Sequence, residues 1–178
     1  MIYKEDLISR FADTKKHATM INEIQEALKT GIVHSENWKV NRIWTTEIKR
    51  ILINLAINKY KFKVATSGFI EECIGERLWD MTWYNYEKLN ESGLQIGLHV
   101  SLISEIEWDP NIKGIQYDFE KLIMGRADLR LMIFPGTEKT IESLIEMAKS
   151  CDLSRNGDKY LFAALQNNQR FIFEIYTH

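Results

Sequence analysis

Hydrophobic positions along the chain switch between helical and alternating spacing, and the switches divide it into elements. Leu7, Ile8 and Phe11, then Met20, Ile21, Ile24 and Leu28, recur at helical intervals in a polar stretch over 5–30, with Gly31 placed to end it. A second helix is predicted from about Thr45 to Asn58. Ile48, Ile51, Leu52 and Leu55 form its core-facing stripe, with Thr45 or Thr46 as N-cap. Lys61 to Thr66 alternates Phe62, Val64 and Thr66 against Lys61, Lys63 and Ala65, a short strand closed by Ser67-Gly68. The aromatic-rich run from Arg77 to Tyr86 is strand-like. After the turn Glu91-Ser92-Gly93, a long strand is expected from Leu94 to Trp108.

Beyond Asp109-Pro110-Asn111 the period changes again. Tyr117, Phe119, Leu122 and Ile123 predict a helix ending near Gly125, Asp128 to Phe134 a strand, and Ile141, Leu144, Ile145 and Ala148 a helix over Thr137 to Cys151. Strands over Tyr160 to Leu165 and Arg170 to Tyr176 complete an α-α-β-β-β-α-β-α-β-β order. The expected fold class is α/β, a central mixed sheet flanked by helices in a single domain over 1–178.

Composition narrows the function classes. Apolar residues are 45% and charged residues 27% of the 178, an ordinary globular balance. The 23 basic and 25 acidic residues leave a net charge of −2, so any contact with nucleic acid must come from a local patch. Cys73 and Cys151 lie far apart with no CxxC spacing, which removes the usual zinc and thioredoxin-like signatures. With no apolar h-region in the first residues and no run long enough to span a bilayer, a cytoplasmic protein without a membrane partner is expected. Motifs of the GxGxxG, GxxxxGK[ST], HExxH and GxSxG kinds are absent.

Candidate chemistry concentrates on acids. On an extended strand His99, Ser101, Ile103, Glu105 and Glu107 share one face, so Glu105 and Glu107 point the same way and repel unless a cation neutralises them. Mg²⁺ suits such oxygen donors, although Glu-x-Glu taken alone more often marks a solvated strand end. Asp80 stands among Trp79, Met81, Trp83 and Tyr84, where an unpaired carboxylate is costly. It therefore calls for a metal, a strand edge or a base such as Arg77. If it is a metal ligand, Asp80→Asn should leave the fold intact. Lys121 lies beside the apolar face of its helix with Asp118 at i−3, and Glu47 lies beside the Ile48–Ile51 stripe. Lys59, Lys61, Lys63, Lys113, Arg126 and Trp108 are the basic and aromatic residues available for a phosphate backbone.

In this order the elements and residues resemble the PD-(D/E)xK nuclease superfamily, whose restriction-endonuclease-like core is αβββαβ. The resemblance covers about 42–134, with 1–40 as a helical N-terminal segment and 135–178 as a C-terminal extension. Leu78-Trp79-Asp80 looks like the family's first metal-binding aspartate, without its proline. Glu105-Ile106-Glu107 resembles the second half-motif, with glutamate where lysine is usual. Lys121 stands where the lysine has migrated to the following helix in some members, and Glu47 matches an acid that some members add from the first helix. The resemblance implies Asp80, Glu105 and Glu107 as ligands of Mg²⁺ (Mn²⁺ substituting), and Lys121 and Glu47 as further catalytic residues. It also implies DNA as the partner, with a homodimer left open, in restriction or repair. The alternative is a catalytically silent member of that fold, a regulatory module binding protein or nucleic acid.

Overall fold

The computed structural model describes residues 18–31, 41–69, 73–89, 91–167 and 169–178. Helix α1 spans residues 18–31, and its Met20, Ile21, Ile24 and Leu28 are buried at the predicted spacing. The part of the expected first helix before residue 18 lies outside the described residues.

Helix α2 (Asn41–Asn54) begins earlier than predicted, so Thr45 and Thr46 are internal residues and not N-caps. It continues as a π-helical turn over Leu55–Tyr60. Lys61 stops it in the left-handed region (φ 58°), donating its N–H to Ala56 O. Trp44, Ile48, Leu52 and Ile53 bury the inner face.

The strands are β1 (Lys63–Thr66), β2 (Met81–Leu89), β3 (Gln95–Ile106), β4 (Leu129–Pro135), β5 (Lys159–Leu165) and β6 (Phe171–Thr177). They form one six-stranded sheet in the order β1-β2-β3-β4-β5-β6. The first three pair antiparallel, β4 lies parallel to both β3 and β5, and β6 returns antiparallel. The two parallel pairings are crossed by α3 (Ile112–Met124) and α4 (Glu138–Ser150), as parallel neighbours require. Residues after 135 thus extend the same sheet.

Alternation along the strands divides the core in two. Val64, Met81, Trp83, Leu102, Leu131 and Leu161 pack under α1 and α2. Ile103, Met132, Phe134, Tyr160 and Phe162 pack under α3 and α4, through Phe119, Leu122, Ile123 and Leu144. The result is an α/β architecture with helices on both faces of a mixed sheet. No helix among the described residues is long and apolar enough to cross a membrane.

Candidate functional site

Asp80 immediately precedes β2, and Glu105 is the penultimate residue of β3. The register Met81↔Ser104 brings these two strand ends together at one edge of the sheet. Asp80 Oδ2 accepts the Ile106 N–H at 2.9 Å, which fixes its carboxylate against the backbone next to Glu105. Thr66 Oγ1 donates to Asp80 O at 2.6 Å and ties the approach to β2 onto β1.

The partner of Asp80 is not Arg77. It is Lys49, a residue of α2 only 4% exposed, whose Nζ lies 3.5 Å from Asp80 Oδ1 and 3.8 Å from Glu76 Oε2 and donates to Ser67 Oγ at 3.0 Å. Arg77 instead stacks on Tyr84, 4.6 Å from the ring centre. The apolar setting around Asp80 in sequence dissolves in three dimensions, because Met81 and Trp83 point into the core beneath α1 and α2.

Glu105 is 1% exposed. Burial pushes its carboxyl up to about 8; the Lys121 ammonium opposes that rise, while Asp80 and Asp118 add to it. Lys121 Nζ lies 2.8 Å from Glu105 Oε1 and is the cation set against that buried carboxyl. Lys121 also donates to Asp118 Oδ1 at 3.1 Å. Burial works against its charge, but Glu105 and Asp118 together hold its pKa above the usual lysine value.

Helix α3 sets this geometry. Asn111 caps it by accepting the Lys113 N–H, and the burial of Ile115, Phe119, Leu122 and Ile123 fixes its rotation. Lys121 is left on the flank that faces β3, as the helical spacing predicts. The far end of α3 is bolted down by the buried guanidinium of Arg130 on β4. It donates to Leu122 O, Gly125 O and Ala127 O and pairs with Asp158 at 3.1 Å.

Two of the expected site residues have other partners. Strand β3 ends at Ile106, yet the Glu107 N–H still donates to Ile133 O at 3.0 Å, and its carboxylate lies on the α3 side near Gly114 and Asp118. Its Oε1 accepts the Trp108 and Asp109 N–H groups, at 2.6 and 2.7 Å, and shapes the turn into α3. Glu107 bears on Asp118, whose carboxyl is raised first by burial, with Lys121 opposing and Glu107 adding to the rise. Glu47 is paired with Arg50 one turn further along α2. Among the described residues no three His, Cys, Asp or Glu side chains are grouped to hold a metal ion.

The structure therefore brings together Asp80, Glu105 and Lys121, and adds Lys49 and Asp118. The i−3 spacing to Lys121 already signals Asp118. Lys49 has no such signal, since it interrupts an apolar stripe like any helix lysine. Of the basic residues, Lys59 pairs with Glu23, Lys63 lies over Tyr86, and Arg126 is exposed beside the end of α3. No family model, no curated protein and no solved structure matches the chain.

Proposed function

We propose that the chain is a metal-dependent nuclease that hydrolyses phosphodiester bonds of DNA in a restriction or repair role. The observation that carries this reading is the meeting of Asp80, Glu105 and Lys121 from three successive elements, with Glu105 buried. The αβββαβ order over residues 41–135, with β4 parallel beside β3, supports a restriction-endonuclease-like core around that cluster.

Asp80 and Glu105 offer hard oxygen donors at one strand end. Mg²⁺ commonly takes only one or two protein carboxylates and fills its other positions with water and substrate phosphate. This donor set fits Mg²⁺, or Mn²⁺ in its place, without Glu107. When bound, the ion supplies positive charge against the phosphoryl oxygens and makes the attacking water more acidic. Glu105 must surrender its proton as the site loads, so loading strengthens as pH rises toward about 8. Lys121, held by Asp118 from one turn back, directs its ammonium at the charge developing on the phosphoryl group. Lys49, 3.5 Å from Asp80 Oδ1, orients that carboxylate.

The silent regulatory module is favoured by one observation: among the described residues no three acid side chains are grouped to hold a metal ion. Calorimetric titration with Mn²⁺ and Mg²⁺, run beside a DNA cleavage assay, separates the two readings. The nuclease binds the ion, loses it in Glu105→Gln, and cuts plasmid or single-stranded DNA when it is present. No binding heat together with no cleavage on either substrate contradicts the nuclease and leaves the silent module.

A further inference from the structure

A cavity of about 670 Å³ opens beside Lys121, between the start of β2, the middle of β3 and the C-terminal end of α3. Its volume lies within the range of small-molecule sites. Trp79 forms one wall, and its Nε1–H donates to Lys121 O at 3.1 Å, which fixes the plane of the indole. Val100 and Met124 add apolar surface. Among the described residues the charged side chains lining it are all cationic: Arg77, Lys121 and Arg126. In a chain of net charge −2, that sign is a local choice. Thr82 also lines the cavity; it is 1% exposed, and its Oγ1 makes no hydrogen bond among the described residues. A buried hydroxyl without a partner is costly, and a ligand edge offering a donor or acceptor there would satisfy it.

A fixed aromatic wall, an unmet hydroxyl and a cationic mouth match one ligand chemistry: a flat heterocycle with a polar edge, attached to a phosphate. We propose that this cavity receives one unstacked nucleobase of a single strand, with adjoining backbone phosphates at Arg77, Lys121 and Arg126. The proposal rests on the nuclease reading of the neighbouring cluster, since Lys121 belongs to both. Its base stacks on Trp79 and its edge meets Thr82 Oγ1, while the next phosphodiester is delivered toward Asp80 and Glu105.

The test is fluorescence anisotropy with a short labelled oligothymidylate and the same strand carrying abasic positions, in EDTA so that nothing is cut. The wild-type chain is expected to prefer the base-bearing strand by about tenfold or more, the size of one lost base–aromatic stack. Thr82→Val should lower that preference several-fold. Met124→Trp, which fills the mouth from an exposed position, should abolish it while the melting curve stays at wild type. The base-against-abasic comparison needs no variant, so a variant that misfolds does not decide the matter. Equal affinity for the two strands, with ion-dependent cleavage retained, overturns the base pocket and leaves the nuclease reading standing. Failure to bind either strand, with no cleavage, overturns both. Self-association that Met124→Glu disperses, without any base preference, overturns the pocket and gives the face to a second copy of the chain.

Discussion

Lys49 has its ammonium among Asp80, Glu76 and Ser67, and that position changes what replacing Asp80 does. Asp80→Asn keeps an oxygen for the Ile106 N–H and relieves Glu105, but among the described residues it leaves the buried ammonium with only the more distant Glu76 as counter-charge. Removing one partner of a fully buried pair costs roughly 3–5 kcal/mol. With the Asp80 side chain 25% exposed, a loss of about 1–2 kcal/mol is expected, a fall in Tm of roughly 2–8 °C. Differential scanning calorimetry checks it; an unchanged Tm would mean that Lys49 needs no counter-charge from Asp80. Glu105 acts in the opposite sense. Below its ordinary value of 4.5 the carboxyl is protonated whether the chain is folded or unfolded. As pH rises toward about 8 the unfolded chain ionises while the folded one resists, so metal-free stability falls across that window. Glu105→Gln should flatten the fall. Urea denaturation at about pH 5 and about pH 8 reads the difference, and an equal slope in both proteins would contradict the burial argument.

The approach of α3 to β3 depends on close contact at one glycine. A Cβ at Gly125 would stand 2.3 Å from Ile103 Cδ1 and 2.8 Å from Trp79 Cζ2. Gly125→Ala is therefore expected to cost about 1–3 kcal/mol by overpacking, read as an earlier urea midpoint together with a changed Trp emission spectrum. A wild-type midpoint would show that the Ile103 and Trp79 tips yield freely. The elements themselves were legible because period 2 and period 3.6 are imposed by burial on one face, as with Val64 and Trp83 or Phe119 and Leu122. Their ends were less so. Lys61 stops α2 through backbone conformation, which its side chain does not advertise, and past Ile106 the chain turns at Trp108 and Asp109, whose N–H groups the Glu107 carboxylate accepts. Asp80, Glu105 and Lys121 could be picked out from charge beside apolar neighbours. Lys49 and Arg130 could not, because nothing in a local window says which carboxylate or carbonyl a long cation will reach.

At the scale of the whole molecule, the sheet gathers Asp80, Glu105 and Lys121 at one end of its strands. Parallel β3 and β4 end there, β2 begins there, and α3 crosses over it, the position where open α/β sheets present side chains to a ligand. With a net charge of −2, strand binding has to rest on the few cations at this end. If Arg77, Lys121 and Arg126 make the phosphate contacts, log K for a single strand should fall with log salt at a slope of about −2, and Arg126→Ala should make it shallower by about 0.7. A much steeper slope would put the strand elsewhere on the surface. The central claim is that Asp80, Glu105 and Lys121 form a phosphodiester-cleaving site. Its most direct measurement is the rate at which wild type and Lys121→Ala cut plasmid and single-stranded DNA with Mg²⁺ or Mn²⁺, both proteins matched for Tm. Ion-dependent cleavage by the wild type is expected, with a rate about 10²–10³ lower in Lys121→Ala. Equal rates in the two proteins, or no cleavage by the wild type on either substrate, would contradict it.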